Sequence, residues 1–155
     1  MKTDFKMPVS VKMLIFLLAV LGIGAIFGGG SLIIDPTGEI IGMPVDVMKV
    51  QWFPDYLIPG IILLLVLGVA PLVLVWTLIR RPDWRLGHKL NVCRSMHWSW
   101  MFSLYIAFAL IIWILVQLYI LKAIGVIHIV YLVLGVAIQI FTLLPASREY
   151  YEIKG

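Results

Sequence analysis

The sequence predicts an all-α membrane protein: a four-transmembrane-helix, up-down-up-down bundle with a structured extracytoplasmic first loop. Three observations predict it. Hydrophobic residues fill 63% of the 155 positions and charged residues only 13%, against about 50% and about 25% in soluble domains. The mean hydropathy of +1.08 is too high for water to be the main solvent of a chain this size. Four stretches, Met13 to Ile34, Leu57 to Ile79, Ser95 to Leu121 and Ala123 to Ser147, contain no Asp, Glu, Lys or Arg. Each reaches the ~20 residues that a helix needs to cross about 30 Å of hydrocarbon while closing its own backbone hydrogen bonds. The expected organisation is a single membrane domain over 1–155, with spans at about 13–34, 57–79, 98–121 and 124–144. An outer loop 35–55, a basic inner loop 80–97 and an inner tail 145–155 complete it.

Orientation follows from the cations, because cytoplasmic loops carry the excess of Lys and Arg. Lys2, Lys6, Lys12, Arg80, Arg81, Arg85, Lys89, Arg94, Arg148 and Lys154 fall on one side, and only Lys49 and Lys122 on the other. The second side also holds Asp35, Glu39, Asp46 and Asp55. Both termini are therefore expected in the cytoplasm of a bacterium, with the chain as a multi-pass protein of the cytoplasmic (inner) membrane. A cleavable signal peptide is the rival for the first span, since Lys2, Lys6 and Lys12 precede an apolar run that reaches Gly28-Gly29-Gly30-Ser31. The run continues through Leu32-Ile33-Ile34 without an A-x-A-like cleavage site, which favours a retained span.

The first span is rich in small residues. At about 100° per residue, Gly24, Gly28 and Ser31 share one arc, and Gly22, Ala25 and Gly29 a second on nearly the opposite side. Small residues let helices approach closely in lipid, so this span can pack against two neighbours, and Gly24-xxx-Gly28 can also serve a homo-oligomer or a membrane-protein partner.

The outer loop opens on Asp35-Pro36-Thr37-Gly38, which has type I turn residues. It invites a short hairpin pairing Ile33-Ile34 with Glu39-Ile40-Ile41. The run Val45 to Trp52, with Asp46, Lys49 and Gln51, suits a headgroup-layer segment, and Trp52, Phe53 and Tyr56 an outer aromatic belt. Asp55 is placed to cap the second span. Pro59 is tolerated in its first turn, and Pro71 should kink it.

The middle loop carries Arg80, Arg81, Arg85, Lys89 and Arg94 with Trp84, Trp98 and Trp100 nearby. That mixture reads as an interfacial anchor on anionic membrane lipids, at about 1 kcal/mol per cation near the surface. The third and fourth spans are joined only by Lys122 to Gly125, so they must be antiparallel neighbours. Ser99, Ser103 and Gln117 share one face of the third span, and His128, Tyr131, Gly135, Gln139 and Thr142 one face of the fourth. Ser99, Ser103 and Gly135, with Gly24 and Gly28, are the expected helix-packing positions.

Polar side chains inside a membrane need a partner or a wet cavity. Gln117 and His128 lie at similar shallow depth and are expected to hydrogen-bond to each other or through one water. Gln139 and Thr142 would meet Thr77, Ser99 or Ser103 near the inner end. As interhelical bonds such contacts contribute about 0.6 kcal/mol each. As a ligand site, Gln117, His128, Tyr131, Gln139 and Trp113, with Tyr105, would line a pocket for a small amphipathic molecule such as a quinone or a lipid.

Other chemistry finds little support. The lone Cys93 forms no intramolecular disulfide, and His88, Cys93 and His97, at spacings of five and four, match no standard zinc pattern, so no metal is assigned. No membrane-embedded Asp or Glu, GxSxG, HExxH or P-loop is present, so no catalytic residue and no cofactor are assigned. Asp35, Glu39, Asp46 and Asp55 read as solvated loop carboxylates. The cations sit beside membrane segments rather than in an aromatic-basic motif, which excludes nucleic acid as the expected partner. The functional expectation is a non-enzymatic accessory or interaction protein; the alternative is a binding or transport protein using the polar seam between the third and fourth spans.

The stretch Ile34-Asp35-Pro36-Thr37-Gly38-Glu39-Ile40-Ile41-Gly42-Met43-Pro44, followed by Phe53-Pro54-Asp55-Tyr56-Leu57-Ile58-Pro59-Gly60, resembles a pattern in small bacterial four-span integral membrane proteins of unassigned function. The four-span plan is also similar in outline to DoxX-like proteins, with no functional motif of that family matched. The resemblance implies the architecture and a bacterial membrane, and it transfers no catalytic residue.

Overall fold

Residues 6–50 and 52–153 are described by a computed structural model. Lys2 and Lys154, two of the inner cations, and Gln51 of the first loop lie outside the described residues. The fold is all-helical. Four helices, Val9–Ile34, Leu57–Arg80, Trp98–Leu121 and Val126–Leu143, are long and apolar enough to cross a membrane. Two short helices, Arg85–Leu90 in the middle loop and Pro145–Tyr151 in the tail, and a 3-10 turn at Val45–Val47 complete the order. Among the described residues there is no β-strand, only an isolated bridge between Met96 and Glu152.

The first long helix packs on the second and the fourth, and the third packs on the second and the fourth. Leu14, Leu18, Leu21, Leu67, Leu78, Leu110 and Ile138 fill the centre. Phe16, Phe27, Val73, Phe108, Ile112 and Val133 remain exposed on the outside, as lipid-facing residues must be when tails replace water.

The arcs of small residues on the first helix divide unevenly between its neighbours, since Gly28 of the first arc lies, like the second arc, toward the second helix, where a Cβ would be 3.5 Å from Leu63. Gly22 and Gly29 face the second helix: a Cβ on Gly22 would lie 2.7 Å from Leu72, and one on Gly29 2.7 Å from Leu64 N. Gly24 faces the fourth helix, where a Cβ would collide with the Tyr131 hydroxyl. At Gly135 a Cβ would sit 3.1 Å from Ile111 of the third helix, so this position does let the third and fourth helices close together.

The second helix is not a uniform α-helix. Leu63–Val69 forms a π-helical stretch, with Ala70 N donating to Leu65 O in the wider i→i+5 pattern. It lies just before buried Pro71, whose ring removes a donor and crowds the carbonyl one turn back. Widening the preceding turn relieves that crowding. At its start, the Asp55 carboxylate accepts from Leu57 N at 2.9 Å.

Helix ends leave carbonyls without intrahelical donors, and this chain supplies donors from elsewhere. The carbonyl of Leu78 would bond to the residue four positions on, but that is Pro82, which has no N–H. The buried Tyr151 hydroxyl donates to it at 2.9 Å. Pro145 breaks the fourth helix, and Trp100 Nε1 donates to the freed Thr142 carbonyl at 2.7 Å. Tyr105 donates to Leu90 O at 3.0 Å, and the Lys49 and Val50 amides donate to Ile120 O.

The tail helix is clasped to the end of the bundle that carries the middle loop. Ser147 donates to Ser10 of the first helix at 2.8 Å. Arg81 donates to Tyr150 O at 2.8 Å, with its guanidinium 3.8 Å from the Tyr150 ring centroid and 4.7 Å from that of Tyr151. His97 N donates to Tyr151 O, and Ile153 N to Ser95 O.

Two expectations fail here. No hairpin forms, because Ile33 and Ile34 stay helical and the Ile40 amide donates to the Asp35 carboxylate, not to a partner strand. The expected contacts of Gln139 and Thr142 with Thr77, Ser99 or Ser103 do not form either. Ser103 donates to Ser99 O, Thr142 to Ile138 O and Thr77 to Leu74 O, the back-bonding that Ser and Thr favour inside helices.

Candidate functional site

A half-enclosed cavity of about 400 Å³ lies toward the end of the bundle that carries the first loop, within the range of small-molecule sites. One face of each long helix walls it at helical spacing. The first contributes Leu21, Gly24, Ala25, Gly28 and Leu32; the second Pro59, Leu63 and Leu67. The third contributes Leu110, Trp113, Ile114 and Gln117, and the fourth Ile127, His128 and Tyr131. Met43, Met48, Phe53 and Tyr56 of the first loop form its roof.

The roof is held by a network that starts at Asp35. Its carboxylate accepts from the Thr37 hydroxyl, from Thr37 N at 3.1 Å and from Ile40 N at 2.9 Å. Those bonds, the Thr37 hydroxyl first, hold the Asp35 carboxyl below its ordinary pKa. Gly38, at φ +78°, turns the chain so that Met43 N reaches Gly38 O at 2.8 Å. A side chain there would strike the Met43 carbonyl and stand 2.9 Å from the Tyr56 ring. Tyr56 N in turn donates to Pro36 O at 3.0 Å. Tyr56 is thereby drawn inward and is only 6% exposed; of the expected aromatic belt, Trp52 alone is strongly exposed, tilted on Tyr119 at 5.3 Å.

The lining is apolar apart from a few groups, and none of its residues is Lys, Arg, Asp or Glu. The Tyr56 hydroxyl and Trp113 Nε1 are both buried without a hydrogen-bond partner. Burial pushes the Tyr56 phenol up, so it keeps its proton at neutral pH. His128, 8% exposed, accepts at Nδ1 from Gly125 N at 3.1 Å. In the neutral ring that bond assigns the proton to Nε2, which becomes a donor.

Of the five residues read as ligand-binding, Gln117, His128, Tyr131 and Trp113 line this cavity, while Gln139 does not. No direct Gln117 to His128 hydrogen bond forms; His128 Nδ1 is engaged by Gly125 N at the start of its own helix. Tyr105 is also elsewhere, bonded to Leu90. Tyr56 was missed as a site residue; the turn at Asp35-Pro36-Thr37-Gly38 was visible in the sequence, but nothing local signals that it would swing Tyr56 over the bundle.

At the opposite end, Arg80, Arg85, Lys89 and Arg94 are exposed. Arg81 differs from them, since its guanidinium is committed to the tail clasp. Ser99 and Ser103 are fully buried there, with Ser99 bonded to His97 Nδ1 at 2.7 Å. Among the described residues no group of three or more His, Cys, Asp or Glu gathers as a metal site; His88 instead pairs with Asp83 at 3.0 Å.

No family model, curated protein or solved structure matches the chain. The cavity's own chemistry therefore carries the functional conclusion.

Proposed function

We propose that this protein is a membrane binding protein that holds one small amphipathic molecule in the loop-roofed cavity. The observation that carries the reading is the pair of buried donors without partners, Tyr56 hydroxyl and Trp113 Nε1, on residues that line a largely apolar space of about 400 Å³. A buried polar group without a partner costs about 1 to 3 kcal/mol, and two on the lining of one cavity are best explained by a ligand that draws them in and satisfies them. The membrane placement proposed with it is an up-down-up-down bundle in a bacterial cytoplasmic membrane. Its first loop lies outside and both termini inside, in keeping with the ten-to-two bias of Lys and Arg. Arg80, Arg85, Lys89 and Arg94 then meet the anionic headgroups of the inner leaflet.

The accessory or oligomeric reading has less to stand on. Of the Gly24-xxx-Gly28 pair that it would offer to a partner helix, Gly24 is covered by Tyr131 and Gly28 lies toward Leu63 of the same chain.

Gentle extraction from native membranes followed by native mass spectrometry tests the proposal. A small molecule retained at one per chain is the expected result, and a bare chain under conditions that keep bound lipids would overturn it. A reporter fused at the middle loop should be active only in its cytoplasmic form.

A further inference from the structure

We infer that the molecule held in the cavity is an uncharged, lipid-soluble compound whose carbonyl oxygen accepts hydrogen bonds from Trp113 Nε1 and the Tyr56 hydroxyl. The inference rests on the cavity being a ligand site. An indole N–H can only donate, so whatever satisfies Trp113 must present an acceptor. The buried phenol of Tyr56, nine-tenths shielded and unpartnered, can supply a second donor to the same oxygen, since a carbonyl offers two lone pairs and no proton. His128 of the fourth helix, with Nδ1 occupied by Gly125 N, adds a third donor to the lining.

Charge narrows the class. No Lys or Arg lines the cavity, so a phosphate or carboxylate would be buried without a counter-charge, and no Asp or Glu is there to accept an amine. Access points the same way. Ile41 and Ile127 line the cavity and are also 38% and 62% exposed. The rim therefore lies beside the outer ends of the first and fourth helices, at apolar residues that face lipid. A molecule dissolved in the bilayer reaches it sideways without crossing a charged surface. Two sources share this chemistry, the ring carbonyl of a quinone and the ester carbonyl of a neutral acylglycerol.

The test uses the full chain in detergent, titrated with a decyl-substituted benzoquinone, monooleoylglycerol, decanol and anthracene, and read by equilibrium dialysis and thermal midpoint. At least one carbonyl probe should bind, and which of them binds identifies the source. Trp113→Phe and Tyr56→Phe should each weaken that probe about three- to tenfold, the worth of one hydrogen bond, while changing anthracene by less than about twofold. Tyr56→Phe should also raise the midpoint of the empty protein, because it removes an unpartnered hydroxyl, which guards against a folding artefact. The carbonyl assignment is overturned if neither carbonyl probe binds, if decanol binds as tightly and responds alike, or if the variants weaken anthracene equally. The cavity reading stands or falls separately: Gly28→Phe should block anthracene, and anthracene binding unchanged by that substitution sinks the cavity itself.

Discussion

A Cβ placed on Gly29 would lie 2.8 Å from the Gly60 carbonyl oxygen, and one placed on Gly60 would lie 3.2 Å from the Gly29 carbonyl oxygen. The two helix backbones are thus in mutual contact, which in lipid supplies dispersion energy that no apolar side chain could add without pushing them apart. Gly29→Ala should lower stability by about 1 to 3 kcal/mol through overpacking. A Cβ on Gly30, one residue further along, would meet nothing within 4 Å, and Gly30→Ala should be neutral or mildly stabilising. Thermal midpoints of the two variants in one detergent check this; equal midpoints would refute the close approach.

The tail clasp should be removable without collapse of the bundle. Tyr151→Phe strands the Leu78 carbonyl, which Pro82 cannot serve, at a cost of about 1 to 3 kcal/mol. Arg81→Ala removes a charged hydrogen bond and two ring contacts, the ring contacts contributing about 0.5 to 1 kcal/mol each at exposed sites. Both variants should speed limited proteolysis after Leu144. Because the residues share one clasp, the double variant should cost less than the sum.

Trp100 and Thr142 separate a side-chain role from a main-chain one. Trp100→Phe leaves the Thr142 carbonyl open and should cost about 1 to 3 kcal/mol. Thr142→Val keeps that carbonyl served and removes only a hydroxyl that bonds its own helix at Ile138, so its effect should stay below about 1 kcal/mol. A larger loss from Thr142→Val would restore an interhelical role for the hydroxyl.

His97 should make stability depend on pH. Burial first, then the nearby Arg81 and His88, hold its pKa below the ordinary 6.5, against the opposing pull of a bond to the Pro82 backbone and of Asp83. In the neutral ring Nδ1 accepts from Ser99 N at 3.3 Å and caps the third helix; protonation ends that. The unfolded chain takes up the proton more readily, so the contribution is present above pH about 6.5 and is lost as pH falls through the lower folded value. Unfolding midpoints across pH 7.5 to about 5 should drop in the wild type and drop less in His97→Asn; parallel curves would remove His97 as the source.

Four long apolar helices were legible because uncharged length is a physical requirement of the bilayer, and a helix occupies Trp98–Leu121. The first helix begins earlier, at Val9, since Lys12 at its exposed edge does not end a helix. The fourth is slightly shorter than read, Val126–Leu143, stopped by the break at Pro145. Projection grouped Gln117 on the third helix and His128 and Tyr131 on the fourth, all of which line the cavity, but it also grouped Gln139, which does not, and it left out Trp113, which does. It could not say that Ser103 and Thr142 would turn back to their own carbonyls, nor that Ser10 and Ser147, 137 positions apart, would meet. The π-helical stretch was hidden too: Pro71 signalled a disturbance but not the form it would take.

That wide stretch between Leu63 and Val69 sets the angular phase between the two ends of the second helix. It holds one residue more than an α-helix of the same rise would need. Deleting one residue there should let the stretch close as ordinary α-helix, with Gly60 still against Gly29 and Pro59 still in the cavity wall, whereas a deletion in the α-helical part that follows would turn one end by about 100° against the other. The segment is thus slack in the helix: it takes up a change of length that its neighbours could not.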